Sequence, residues 1–307
     1  MGSALATLGL LGSCRWDNDD IYHLARIGTY LRADSILYYL PAGGSPIPLQ
    51  TCLSMKADGH QVAVLSTDKQ TLSYYTPGSM APTQHSSLPF PGQTVAAKPD
   101  MKGFFIGGPQ GLWATTSEER LTELTKTPAL SLLPSTGFVL QLVSATHLMA
   151  AHPQKPSLTL AELRLPGPLI NWWAEPPLGA AGIFFYRDTL YRFSYRADAR
   201  HFAIDTISPT AQYYAAASPY LVKRTGTEYT GTVTLSVQRT LSPLGLAQVQ
   251  AFAVDFLGGW LYCVQRDTLW EYALPQGASR PLIAPLSAYT LEVCGVYRYG
   301  RANITTR

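Results

Sequence analysis

Histidines, cysteines and carboxylates are the side chains here that could ligate a metal or activate a nucleophile, so their spacing is read first. His23, His60, His85, His147, His152 and His201 are dispersed. None stands in the His-x-x-x-His or His-Glu spacing that puts two ligands on one side of a helix. Cys14, Cys52, Cys263 and Cys294 form no Cys-x-x-Cys pair, which removes the usual structural zinc and thioredoxin-like motifs. They read as buried thiols, with a Cys263 to Cys294 disulfide as the alternative. There is no Gly-x-Ser-x-Gly elbow and no phosphate loop. Gly107-Gly108-Pro109-Gln110-Gly111 has no following lysine and reads as a hairpin turn. Asp34, Asp68, Asp188 and Asp267 recur near predicted turns, where a carboxylate caps backbone amides more readily than it does acid/base work. Glu118, Glu119 and Glu123 read as a solvated face. No catalytic residue, cofactor or metal ligand is assigned, and the residues lean against an enzyme.

Two clusters suit binding. In Tyr191-Arg192-Phe193-Ser194-Tyr195-Arg196 the alternation of a strand sends three aromatics to one face and Arg192 and Arg196 to the other. With Arg187 and Arg200 nearby, that face would meet an anionic partner or simply water. The second cluster is Trp172-Trp173, in a proline-rich stretch, 166–177, that reads as a loop. Adjacent indoles there would serve as an interface anchor or a sugar-stacking platform, or be buried between sheets.

The elements that would carry these side chains are short hairpins. Residues 182–193 and 260–272 each run from an apolar strand through Arg-Asp-Thr-Leu into a second strand. Weaker copies turn at 34–35, 68–70, 107–111, 152–156 and 225–227. Taking Leu37, Leu72, Leu112, Leu158, Leu190, Leu235 and Leu269 as markers gives steps of 32 to 46 residues, averaging about 39, near the ~40–45 of a four-stranded propeller blade. Seven such units use up the chain. The spacing therefore predicts an all-β fold, a single closed β-propeller over residues 1–307 with about seven four-stranded antiparallel blades. Six or eight blades are the alternatives. Proline-rich stretches at 41–48, 77–91, 166–177 and 275–285 read as connecting loops. Residues 17–31 carry an Asp-rich helix start, with a strand over 21–27 as the competing reading. Residues 1–27 are expected to act as a terminal strand or tail helping to close the ring, pairing with a strand at 289–299.

At fold level these repeats resemble the WD-repeat type of seven-bladed propeller. Residues 66–75 look like that family's Ser-x-Asp, Thr-Val, aromatic ending, and Asp267-Thr268-Leu269-Trp270-Glu271 looks like its Trp-Asp close. The Gly-His dipeptide is missing from the blades, and Trp16-Asp17 lies outside the repeats.

Composition limits the partners. Charged residues are 14% and hydrophobic ones 46%, enough apolar surface for a core. A net charge of +3 with scattered lysines and arginines does not imply nucleic-acid binding. No apolar run reaches the ~18 residues of a membrane span. Leu11-Gly12-Ser13-Cys14 looks like a bacterial lipobox but lacks the basic residues that normally precede one. The expected function is a non-enzymatic, protein-interaction scaffold subunit of a larger intracellular assembly, bound to other protein subunits. The alternative is an extracytoplasmic or virion-surface propeller, bacterial lipoprotein included, that binds a glycan or small ligand. A hydrolase or lyase working in a central channel is the third.

Overall fold

The computed structural model describes residues 22–58, 60–100, 102–115, 120–175, 179–187, 189–206, 213–217, 220–223, 234–235, 249–255, 260–273, 278–286 and 290–301. Every regular element among them is a β-strand, so the helix considered over 17–31 gives way to the strand Tyr22–Ala33. Its β-branched and aromatic content suits a sheet, and both neighbouring strands hydrogen-bond to it.

The strands form seven antiparallel sheets, six four-stranded and one with three described strands. The first sheet joins the two ends of the chain. Its order is Leu291–Arg301, Tyr22–Ala33, Ile36–Pro41, Ile47–Thr51, with Tyr22 opposite Arg301 and Ala33 opposite Leu291. The other sheets follow chain order. The second begins at Ser54–Ala57, the third at Thr94–Ala97, the fourth at Ser131–Pro134, the fifth at Leu169–Glu175, the sixth at Tyr213–Ala217 and the seventh at Val249–Asp255. These leading strands meet one another. Each contacts the next in that order, Val249–Asp255 contacts Leu291–Arg301, and Leu291–Arg301 contacts Ser54–Ala57.

A single sequence feature recurs in every sheet. The third strand carries leucine at its second position in six sheets, Leu37, Leu72, Leu112, Leu148, Leu190 and Leu269, and the third described strand of the sixth sheet, Thr234–Leu235, holds Leu235. Leu37, Leu72, Leu112, Leu148 and Leu269 have no exposed surface. The turn before it sets the register. At Arg266-Asp267 both residues have positive φ, 47° and 63°, as a two-residue type I′ hairpin requires. Asp68 holds its turn through Oδ1, which accepts from the amides of Gln70 and Thr71 at 2.8 and 2.9 Å.

This register corrects part of the repeat. Leu158 is 49% exposed on an outer strand, Lys155–Arg164. The equivalent leucine of the fourth sheet is Leu148, after the unpunctuated turn Ala145-Thr146. Leu235 lies on the third described strand of its sheet, as the remaining markers do, and the turn at 225–227 lies outside the described residues. The proline-rich stretches also hold strands, Gln84–Ser87, Leu169–Glu175 and Ser279–Ile283 among them. Pro48 and Pro281 occupy outer strands, where a missing N–H breaks no second ladder.

The core lies between the sheets. Buried clusters join the first sheet to the second and to the seventh, the second to the third, the third to the fourth and the fourth to the fifth. A small sheet has an apolar face that it cannot bury alone, and its neighbours supply the cover.

Candidate binding groove

The third-to-fourth seam opens into a groove of about 410 Å³, within the ~300–1,000 Å³ range of ligand sites. In an antiparallel sheet the first and third turns share one rim, and residues 98–100, 136 and 153–156 from these turns meet around the opening. The floor is Phe105, Ala114 and Leu124, the first two nearly fully buried on central strands. Pro99, Pro153 and Pro156 form stiff apolar walls. Lys98, Asp100 and Thr136 stand at the mouth. Lys98 Nζ lies 3.5 Å from Asp100 Oδ2 and donates to the Lys102 carbonyl at 3.3 Å. Such a partly exposed pair holds its lysine weakly, by about 0–1 kcal/mol.

The sequence placed its binding candidates on the fifth sheet, and the geometry spreads them out. Arg187 is exposed in the turn after Gly179–Tyr186, with its guanidinium 5.1 Å from the Tyr186 ring centroid. Arg192 is half-buried in the middle of Thr189–Arg196, opposite Asp205. Arg196 and Arg200 are exposed at the far end of that strand, and Arg196 is held by Asp198 at 2.7 Å. One strand length separates Arg187 from Arg196, so the arginines run from rim to rim. The aromatic side of the same strand is core: Phe193 and Tyr195 are buried and Tyr191 packs against them. Trp172 and Trp173 lie on the strand Leu169–Glu175 rather than in a loop. Proline flanks that strand on both sides without entering it, which is why the stretch read as irregular. Trp172 is half-buried against the fourth-to-fifth core.

Chemistry-capable groups are held in structural pairs. Where the first and seventh sheets meet, Glu271 is 1% exposed between two arginines. Arg26 donates to its Oε1 at 2.7 Å and Arg280 to its Oε2 at 2.7 Å. Burial alone would raise the Glu271 carboxyl; the two guanidiniums outweigh it and hold the group below the usual glutamate range. Arg26 also donates to the Tyr262 hydroxyl at 2.6 Å and lies 3.9 Å from the Trp260 ring centroid. Arg280 reaches on to the Gly44 carbonyl. Nearby, the Tyr297 hydroxyl donates to Asp255, and burial together with that carboxylate pushes the phenol up. Gly295 is required there, because a Cβ would collide with Asp255.

Cys52, Cys263 and Cys294 are free thiols, which excludes the disulfide alternative. Burial raises Cys52 and Cys263 to about 12 and Cys294 to about 11. Cys14 lies outside the described residues, as do Asp188 and the pair Glu118 and Glu119. Among the described residues no three His, Cys, Asp or Glu side chains gather as metal ligands, and no helix is long and apolar enough to cross a membrane.

No family model matches the chain, and no curated protein matches it. Solved structures do resemble it. Dihydro-heme d1 dehydrogenase NirN, solved in complex with DHE, superposes with a TM-score of 0.58 at 11% identity, over 88% of this chain and 75% of that one. A protein from Lactobacillus plantarum gives a TM-score of 0.56 at 10% identity, over 89% and 99%. Saccharomyces cerevisiae Sqt1 gives 0.51 at 9% identity, over 92% and 98%. Identities this low speak to fold alone. The chain has an all-β, propeller-like fold.

Proposed function

We propose that the chain is a single closed propeller of seven blades that works as a non-enzymatic interaction scaffold, binding other subunits of a protein assembly. Closure is supported by the leading strands, whose contacts return to their starting point through Leu291–Arg301, which pairs with Tyr22–Ala33 in the first sheet. Seven blades are supported by the leucine that recurs in each sheet. The observation that carries the functional reading is the contrast between an open apolar groove on one rim and charged groups tied into the frame. A rigid ring holding variable turns outward is a suitable platform for partners. Proteins fit this surface better than a glycan does, since Trp172, one of the two indoles of the expected sugar platform, packs partly buried against the core. The fifth-sheet arginines, Arg187 and Arg200 foremost, are further contacts for such a partner. Free thiols favour a reducing compartment, hence the inside of a cell.

Crosslinking mass spectrometry on the native source tests this reading. The expected result is recurrent crosslinks to one or more defined proteins, with the chain eluting in a complex larger than itself. A monomer with no crosslinked neighbour would overturn it.

A further inference from the structure

We infer that the groove between the third and fourth sheets receives an acidic peptide segment of a partner protein, with one bulky apolar side chain seated on Phe105 and Ala114. This rests on the scaffold reading and names what that scaffold holds. The floor is apolar and the proline walls are stiff, so the cavity is preformed and ordering it costs little on binding. Its volume of about 410 Å³ admits an aromatic or leucine side chain with adjoining backbone. An apolar anchor in a pocket ringed by polar groups is the usual core of a protein contact.

Charge selects the flanks of the segment. Of the lining charges, Lys98 and Asp100 pair with each other, and just outside the lining Lys102 and Lys155 are exposed beside the two turns that form the mouth. The Lys98–Asp100 pair is weak enough for a peptide carboxylate to take over the ammonium. Gln141 shares a sheet face with Val139 of the Phe105 cluster, is fully buried, and has neither amide atom hydrogen-bonded within the described residues.

The test is to pan a phage-displayed random dodecapeptide library against the full-length protein, then measure binding of the enriched peptides by fluorescence polarisation. The enriched sequences should carry Asp or Glu beside an aromatic residue or leucine. Thr136→Trp, an exposed position at the mouth, plugs the groove and should weaken binding about tenfold or more, the scale of a lost anchor. The double variant Lys98→Glu, Lys102→Glu should weaken it about fivefold, and added salt should do the same to the wild type. Lys69→Glu, at an exposed turn of the second sheet, should leave it unchanged. Circular dichroism of each variant confirms folding. Enriched peptides without acidic residues, peptides indifferent to Thr136→Trp, or no binder at all would overturn the proposal. The scaffold reading would survive those results if the native crosslinks hold, and it falls separately if they do not.

Discussion

Two seams between neighbouring sheets solve the same packing problem in opposite ways. Where the first and seventh sheets meet, the inner half is apolar, with Leu31, Leu40, Val264 and Leu269. The rest is filled by Arg26, Tyr262, Glu271 and Arg280. Where the third and fourth meet, a smaller cluster around Phe105 and Leu112 opens into the groove, and the rim charges are loosely paired. Chain connectivity explains the difference. The third and fourth sheets are joined by a few residues, so their docking is almost intramolecular in the local sense. Arg26 and Glu271 are 245 residues apart. Closing a loop of that length costs about 2 kcal/mol more than closing one of roughly 30 residues. A seam that joins chain ends needs directional, buried contacts; one between consecutive units can stay open and take a ligand.

The largest break in this comparison is Glu271→Ala. It leaves two guanidiniums without their shared carboxylate, and the expected loss is about 3–5 kcal/mol in urea unfolding. Acid should act on the same group. Its carboxyl is held below the usual value in the folded state. Its contribution is therefore complete above the unfolded pKa and disappears as pH falls through the folded one. The stability gap between wild type and Glu271→Gln should close as unfolding is repeated from pH 7 toward pH 3. A gap that stays constant would remove the charge from the explanation.

Leucine truncation sharpens the comparison. Leu269 and Leu112 are both fully buried equivalents, one in each seam. Each should cost about 2–5 kcal/mol as alanine, with Leu112→Ala toward the lower end because the groove gives its surroundings room to relax. Leu158→Ala, on the outer strand, should stay within about 0.5 kcal/mol. Equal losses at 158 and 269 would mean that the repeat register is wrong. The smallest effect belongs to Gln141→Met, which replaces an unpaired buried amide by an apolar side chain of similar length. It should stabilise the protein by about 1 kcal/mol, read as a rise in melting temperature.

Much of the frame was legible because turns and leucines leave local marks. Arg-Asp-Thr-Leu at 266–269 registers its hairpin directly, since Arg-Asp occupies the turn and Leu269 enters the core. The fourth sheet was misread for the same kind of reason. Its register turn, Ala145-Thr146, carries no Gly, Pro, Asn or Asp, while Pro153-Gln154 one hairpin later does, so the punctuation drew the marker to Leu158. Proline likewise disguised Leu169–Glu175 as a loop. Neither seam could be read in advance. The groove is assembled from turns of two sheets, and the Arg26–Glu271–Arg280 cluster joins residues from opposite ends of the chain. The arginines of the fifth sheet show the converse: close in sequence, they are separated by the length of a strand.

Ring closure by the terminal strands is the premise beneath both seams, and native-state hydrogen exchange on the full-length protein reads it most directly. Amides of Tyr22–Ala33 and Leu291–Arg301 should be as protected as those of Val62–Leu65 and Phe104–Gly108, opening only with global unfolding. Rapid exchange confined to the two terminal strands, with the other sheets still protected, would contradict it.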